Sequence, residues 1–330
     1  MVRLRRVTGD DLTIEWRRSG KGFCCFGPSG KRLQDETLRR RVKSLAIPPA
    51  WKNVRVAGDS RAHIQAMGVD DAGRLQYIYH PEWEVRRTKR RQRHLAALAA
   101  ALPAVRRRVR KNLGAKGGDK ALALAIAVAL IDRTAMRIGR ERYLGTHGTR
   151  GAGTLYSSDV TVADDEVRIT FPAKSGKRAA YVFTDAILAR AIKRIKAIRG
   201  RRLLMYRDGE DRALRTEDIN AYLRDITGVP VSAKDFRTLH ASALAAEGLA
   251  ALEPSPSETG RRRQVASVMR DVAAFLQNTP AICRKSYVAP CLVDLFEAGR
   301  LADLWQGDAT AKHGLRQREV RLGAVLDAVG

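Results

Sequence analysis

The sequence predicts an α+β protein in which a small β-rich N-terminal domain, residues 1–87, precedes a larger, mostly α-helical domain, residues 88–330. Two observations lead to this prediction. Up to about residue 86, short stretches of alternating apolar and polar residues lie between glycine and proline turns, which is typical of strands. From Thr88 onward, long segments rich in alanine and leucine show the period of a helix.

Individual elements follow from local patterns. The clearest N-terminal strands are 13–16 and 75–79. The predicted helices cover 88–112, 119–138, 185–199, 216–227, 235–249, 261–277 and 280–298. One hairpin interrupts these helices, with strands at 167–171 and 180–183 around a turn at 173–176.

The last predicted helix has the clearest start. Thr279 is a favourable N-cap residue, and Pro280 occupies the first helical position, where its missing N–H costs nothing. We therefore expect Tyr287 to lie about two turns into this helix, directly behind Arg284 and Lys285. A phenol is a poor nucleophile unless positive charge surrounds it.

The charge of the chain indicates a polyanionic partner. It contains 62 Lys+Arg against 35 Asp+Glu, a formal net charge of +27, and the basic residues concentrate at 86–93 and 106–111. This excess favours nucleic acid as the partner. A membrane surface is the weaker alternative, because these segments lack the large apolar residues of lipid-binding helices. The longest apolar run, 121–131, is too short to span a bilayer.

Several kinds of enzyme site have no signature in this sequence. There is no P-loop, no HExxH, no EF-hand loop and no GxSxG motif. The four cysteines form no CxxC pair, which indicates neither a zinc site nor a disulfide framework and fits the cytoplasm. Residues 1–18 are charged throughout, unlike a signal peptide. We expect no metal and no cofactor. A set of cations and one tyrosine remains, which suits phosphoryl transfer through a covalent tyrosine.

Six motifs occur in order: RAHIQA at 61–66, GRLQYIYH at 73–80, LIDRTAMRIGRERY at 130–143, FPAKSGK at 171–177, KDFRT at 234–238 and NTPAICRKSY at 278–287. Together they resemble the type IB DNA topoisomerases, specifically the small poxvirus-like bacterial branch. The resemblance covers about residues 45 to 298. It implies relaxation of positive and negative supercoils by single-strand cleavage through a 3′-phosphotyrosyl intermediate and religation, without ATP or metal. It also implies a monomer, without an obligate protein partner, whose two domains form a clamp around duplex DNA in the nucleoid.

The resemblance implies five catalytic residues: Arg137, Lys174, Arg237, Asn278 and Tyr287. Tyr287 is the expected nucleophile, the two arginines neutralise the phosphate, and Lys174 is the general acid for the departing 5′-hydroxyl, favoured over its neighbour Lys177. Asn278 stands where poxvirus and eukaryotic members carry histidine. Asparagine can donate a hydrogen bond to phosphate but carries no charge, so we expect a weaker contact that does not titrate near neutral pH.

Further DNA contacts are implied for six residues: Gln76, Tyr77, Tyr79, Arg140, Tyr143 and Lys234. The two tyrosines of the small domain alternate along one strand and share a face. The alternative for them is an aromatic pair packed in a small β-core. Lys234 lies one helical turn before Arg237.

Two alternatives stay open at this point. A tyrosine recombinase shares the Arg–Lys–Arg–Tyr chemistry, but it usually has histidine where this chain has Lys234 and a helical N-terminal domain. A non-enzymatic nucleoid-binding protein explains the charge but not the ordered catalytic set. The sequence does not indicate whether the extension 301–330 packs on the helical domain.

Overall fold

The computed structural model describes residues 3–20, 22–115, 118–173, 176–306 and 316–329. The chain divides into two compact units, Met1–Arg90 and Arg91–Gly330. The first contains a five-stranded sheet and the second consists mostly of helices, so the predicted α+β class is confirmed. No helix within the described ranges is long and apolar enough to cross a membrane.

The first unit contains an antiparallel sheet with strand order β2-β1-β3-β4-β5. Its strands are β1 Ile14–Ser19, β2 Gly22–Phe26, β3 Lys52–Val56, β4 Ile64–Val69 and β5 Leu75–Tyr79. The sequence did not predict the helix α1, Glu36–Ser44. The Asp35 carboxylate caps this helix by accepting a hydrogen bond from the Leu38 N–H at 2.9 Å, and Leu38 and Val42 are buried against the sheet core.

The remaining helices follow in chain order. They are α2 Pro81–Gly114, α3 Lys120–Thr134, α4 Glu141–His147, α5 Ala186–Lys196, α6 Thr216–Thr227, α7 Ala233–Ala250, α8 Glu258–Leu276, α9 Pro280–Ser286, α10 Pro290–Glu297, α11 Leu301–Gln306 and α12 Gln317–Ala328. Helix α3 lies at the centre of the second unit. Its residues are apolar on every side and almost all buried, and it packs against α5, α6 and α7.

Two small sheets complete the second unit. An antiparallel sheet contains β6 Val160–Ala163, β7 Glu166–Pro172 and β8 Arg178–Thr184, and its β7–β8 hairpin is the one that the sequence predicted. A separate hairpin, β9 Met205–Asp208 and β10 Glu210–Ala213, was not predicted. Its strands are short and largely exposed, so they lack the apolar alternation on which a sequence-based prediction depends.

Three predicted helices differ clearly from the observed ones. The helix predicted at 88–112 begins earlier, at Pro81. Helix α3 stops at Thr134 instead of 138, because Ala135 adopts a left-handed conformation with φ 50° and Arg137 therefore lies outside the helix. The predicted helix 280–298 is two helices. Pro290 lacks an N–H and disfavours the helical conformation at Ala289, whose ψ is 123°. Tyr287 is consequently the C-cap of α9.

The described part of the C-terminal extension packs on the helical unit. Helix α12 contacts α7 and α11 and buries Leu322, Val325 and Leu326. The Gln92 side chain also donates a hydrogen bond to the Leu326 carbonyl at 3.3 Å. These contacts answer, for residues 316–329, the question that the sequence left open.

A buried ionic network joins α12 to α3 and α7. Arg106 binds Asp132 through Nε at 2.8 Å and Glu319 through Nη1 at 2.7 Å, and His240 Nε2 lies 3.0 Å from Asp132. Asp132, His240 and Glu319 lie close enough together for metal ligands. Because the Arg106 guanidinium already binds both carboxylates, we interpret this cluster as an ionic network that holds the C-terminal helix in place.

Candidate active site

Arg237 is a buried cation held by two helix ends. Its side chain, on α7, is only 3% exposed. It donates hydrogen bonds to the carbonyls of Ala135 and, at 3.1 Å, of Leu276. These carbonyls lie at the C-termini of α3 and α8, where a helix carries partial negative charge. The two helix ends therefore offset part of the cost of burying the guanidinium.

The Tyr287 phenol lies between two guanidinium groups. Arg137 Nη1 donates a hydrogen bond to the hydroxyl at 2.9 Å, and Arg237 Cζ lies 5.0 Å from the ring centre. Burial opposes ionisation of the phenol, but the charges of Arg137 and Arg237 outweigh it, so the pKa of Tyr287 lies below its ordinary value of 10.0. This is the activation that an isolated tyrosine lacks.

The main chain fixes the position of Arg137. After α3 ends, the Ala152 N–H donates a hydrogen bond to the Arg137 carbonyl at 2.8 Å. Gly151 lies directly against that carbonyl, and any Cβ atom at this position would collide with it. The loop around Gly151 therefore fixes the segment between α3 and α4, and Arg137 needs no helix to fix its direction.

Asn278 is the second partner of Arg137. Arg137 Nη2 donates a hydrogen bond to Asn278 Oδ1 at 3.1 Å. Because arginine can only donate, the amide oxygen must be the atom that faces it, and the amide nitrogen points elsewhere. Asn278 Nδ2 is buried and has no hydrogen-bond partner among the described residues. The structure thus leaves one amide donor available to a ligand.

Arg137, Arg237 and Asn278 line a cavity of about 140 Å³, which we call the catalytic cavity. Tyr287 contacts Arg137 and Arg237 but does not itself line this cavity. Among the described residues, its walls include four cations and no carboxylate: Arg137, Arg150, Lys177 and Arg237. The sequence did not single out Arg150, which binds Asp159 at 2.7 Å, nor Tyr181, which burial gives a raised pKa. Their adjacency to the site arises from the β7–β8 hairpin and the loop before β6, and no local signal predicts it.

Ser242 fixes the backbone on both sides of Tyr287. Its hydroxyl donates to the Tyr287 carbonyl at 3.3 Å and accepts from the Ala289 N–H at 3.1 Å. The side chain is fully buried on α7, less than two turns after Arg237. One helix therefore holds both the arginine and the tyrosine backbone. The sequence carried no sign of this contact.

The structure does not bring every predicted residue into the catalytic cavity. Lys174 lies outside the described residues. Lys234 is exposed in the first turn of α7, while Arg140 and Tyr143 are exposed at α4, with Tyr143 41% exposed. None of these last three residues lines the cavity.

The other predicted DNA contacts lie in the first unit, on β5. Tyr77 is 40% exposed, and its ring stacks on that of Tyr79 with ring centres 5.9 Å apart. Gln76 points to the opposite face of the strand and donates a hydrogen bond to Asp70 at 2.9 Å. The exposure of Tyr77 argues against simple packing in a β-core.

Comparison with known families identifies the second unit. The family model described as eukaryotic DNA topoisomerase I, catalytic core, matches residues 83–291, which is more than half of the chain. This chain belongs to that family. The model of the bacterial DNA topoisomerase IB N-terminal domain matches residues 22–70. The DNA topoisomerase 1B of Acanthamoeba polyphaga mimivirus is 27% identical over 268 residues, covering 78% of this chain and 79% of the relative.

The predicted family, branch and reaction class are therefore confirmed. The protein is a type IB DNA topoisomerase, an enzyme that relaxes supercoiled DNA by transient cleavage and religation of one strand. The matches favour neither a tyrosine recombinase nor a non-enzymatic nucleoid-binding protein. Residues 137, 174, 237, 278 and 287 all lie inside the matched catalytic core.

Proposed function

We propose that Tyr287 is the nucleophile of this topoisomerase and that it attacks a DNA phosphate to form the 3′-phosphotyrosyl ester. The observation that carries this proposal is the pair of guanidinium groups on one phenol, with Arg137 at 2.9 Å from the hydroxyl and Arg237 over the ring. Their charges favour the phenolate that attacks phosphorus. The ester keeps the energy of the broken bond, so religation needs no ATP.

The same two arginines and Asn278 are proposed to stabilise the transition state. As the phenolate oxygen bonds to phosphorus, negative charge grows on the non-bridging oxygens, and fixed donors around them lower the barrier. Arg137 and Arg237 supply charge, and Asn278 Nδ2 supplies a neutral donor that has no partner within the described part of the chain. An Asn278→Ala variant should cleave DNA more slowly, whereas an unchanged cleavage rate would exclude this role for the amide.

The general acid is proposed to be Lys174, with Lys177 as the competitor that lines the catalytic cavity. The departing 5′-oxygen must gain a proton, whereas a sulfur atom at the same bridging position leaves readily without one. A substrate with a bridging 5′-sulfur should therefore restore fast cleavage to Lys174→Ala. If this substrate restored fast cleavage only to Lys177→Ala, the general acid would be Lys177.

The decisive test is to trap the covalent adduct. A duplex with a nick just beyond the cleavage site releases a short strand and prevents religation, so the adduct accumulates. Peptide mapping should find the DNA on Tyr287 through a 3′-phosphate, and Tyr287→Phe should form no adduct and relax no plasmid. Relaxation by Tyr287→Phe, or an adduct elsewhere, would contradict the assignment.

We further propose that the enzyme acts as a monomer on duplex DNA of the cytoplasmic nucleoid, with residues 1–87 as a DNA-binding domain and 88–330 as the catalytic domain. The net charge of +27 supports affinity that comes mainly from phosphate contacts. Binding should then weaken steeply as salt rises. The clamp and the DNA contacts of Gln76, Tyr77, Tyr79, Arg140, Tyr143 and Lys234 stay predictions.

A further inference from the structure

A second, larger cavity adjoins the catalytic cavity. It has a volume of about 420 Å³ and lies between the start of β8 and the last turns of α8 and start of α9. In the described part of the chain, its charged lining residues are all cations, Lys177, Arg178 and Arg270, with no carboxylate beside them. We call it the flanking cavity.

Among the residues that the structure describes, the cations of the flanking cavity have no acidic partners. Within the described ranges, no carboxylate lies within salt-bridge distance of Lys177, Arg178 or Arg270, and all three side chains are exposed. Elsewhere on the same elements such partners exist, since Arg262 binds Glu258 at 2.6 Å on α8. Convergent cations without counter-charges repel one another, and an anionic ligand removes that repulsion.

The two cavities share part of their walls. Lys177, Gln277 and Asn278 line both of them. Asn278 is also the residue that binds Arg137 on its oxygen side. The flanking cavity therefore begins where the proposed phosphate site ends. Successive phosphates of one DNA strand are separated by only about 3.4 Å of helix rise, so neighbouring phosphates can occupy adjoining cationic sites.

We propose that Arg178 and Arg270 form a subsite for a DNA backbone phosphate next to the one that Tyr287 attacks. The proposal rests on the proposed function, because it takes the catalytic cavity as the site of the scissile phosphate. Arg270 approaches from α8 and Arg178 from β8, so the flanking phosphate is held between two elements that also form the catalytic cavity. The subsite binds by charge and reads no base sequence.

The affinity of Arg270→Gln for duplex DNA tests the subsite, and Arg262→Gln is the matched control on the same helix. Both substitutions remove one positive charge, but Arg262 lines neither cavity and is already paired with Glu258. Measured in a Tyr287→Phe background, Arg270→Gln should bind duplex DNA roughly 5- to 10-fold more weakly at low salt. The slope of log affinity against log salt should also become shallower by about 0.9.

Neutral methylphosphonates locate the contact. They are placed one at a time at phosphates around the cleavage site. At one position, the methylphosphonate should weaken DNA binding by the parent protein but should not weaken binding by Arg270→Gln any further. That position should lie within two nucleotides of the scissile phosphate. Equal effects of Arg270→Gln and Arg262→Gln, or additive losses at every position tested, would overturn the subsite.

The outcome is distinguishable from failure of the proposed function. The binding assay requires no chemistry at Tyr287, while the adduct map requires no knowledge of Arg270. An adduct on another residue would remove the assignment of the nucleophile, and a methylphosphonate coupling far from the cleavage site would remove the subsite alone.

Discussion

Arg137→Lys is the most informative single substitution. Arg137 holds Tyr287 OH with Nη1 at 2.9 Å and Asn278 Oδ1 with Nη2 at 3.1 Å. A planar guanidinium reaches both partners with one side chain, whereas a lysine ammonium keeps the charge but cannot reproduce the two-pronged geometry. The substitution therefore separates the effect of charge from the effect of position.

The expected loss of cleavage rate follows from the loss of one of the two Arg137 hydrogen bonds. A hydrogen bond to a charged group contributes about 1.5–3 kcal/mol. If the ammonium of the Arg137→Lys variant keeps one contact and loses the other, cleavage should slow by roughly 10- to 150-fold. Because a positive charge remains near the phenol, the pKa of Tyr287 should stay below its ordinary value. Arg137→Gln removes that charge, so the pKa of Tyr287 should rise.

Single-turnover cleavage of the nicked duplex, measured as a function of pH, checks both expectations. Fewer phenolate molecules exist at a given pH when the pKa of Tyr287 rises, so the rising limb of the Arg137→Gln profile should move to higher pH. Arg137→Lys should be slower with little movement of that limb. The control is Arg133→Lys, because the Arg133 guanidinium binds Asp185 at 2.7 Å and takes no part in the proposed site. A rate for Arg137→Lys within about threefold of the parent would refute the reasoning.

Three further outcomes are expected. Ser242→Ala leaves the buried Tyr287 carbonyl and Ala289 N–H unpaired, which should lower the free energy of unfolding by about 1–3 kcal/mol and slow single-turnover cleavage. Ser242→Thr should restore both, and a cleavage rate for Ser242→Ala equal to that of the parent would contradict this. Glu319→Gln removes one charge of a buried pair and should lower stability by about 3 kcal/mol in thermal or denaturant unfolding, and an unchanged transition would count against the network. Burial opposes the ionisation of Asp132, but its bonds to His240 and Arg106 outweigh burial and lower its pKa. This contribution to stability is full above about pH 4 and should be lost as the pH falls further, so the stability of Asp132→Asn should fall less steeply in acid.

Local signals predicted many of the elements. The strand at β5, the β7–β8 hairpin and the start of α9 at Thr279–Pro280 follow from alternation, turn residues and capping. Helix α6 has the predicted bounds, 216–227. These features depend on residues within one or two turns of each other, which is the range over which sequence patterns carry information.

Long-range contacts account for the wrong helix ends and the missed residues. The apolar pattern of helix α3 continues to 138, yet Ala135 turns left-handed and its carbonyl binds Arg237, 102 positions away. Nothing near Ser242 in the sequence indicates that it holds Tyr287, 45 positions later. The burial of Glu319 likewise depends on Arg106, from the other end of the helical unit.

The sequence by itself determined the family, the reaction class and the residue types of the predicted site, because the ordered motifs and the excess of 27 positive charges can be read from the sequence without the fold. Only the tertiary structure decided how the chemistry is set up. Two helix C-termini hold Arg237, the Arg137 fork joins Tyr287 to Asn278, and a row of cations without carboxylate partners in the described ranges extends beyond the catalytic cavity. The physical reason is that charge and hydrogen bonding act over a few ångströms in space, and folding alone brings residues 137, 237, 278 and 287 within that distance.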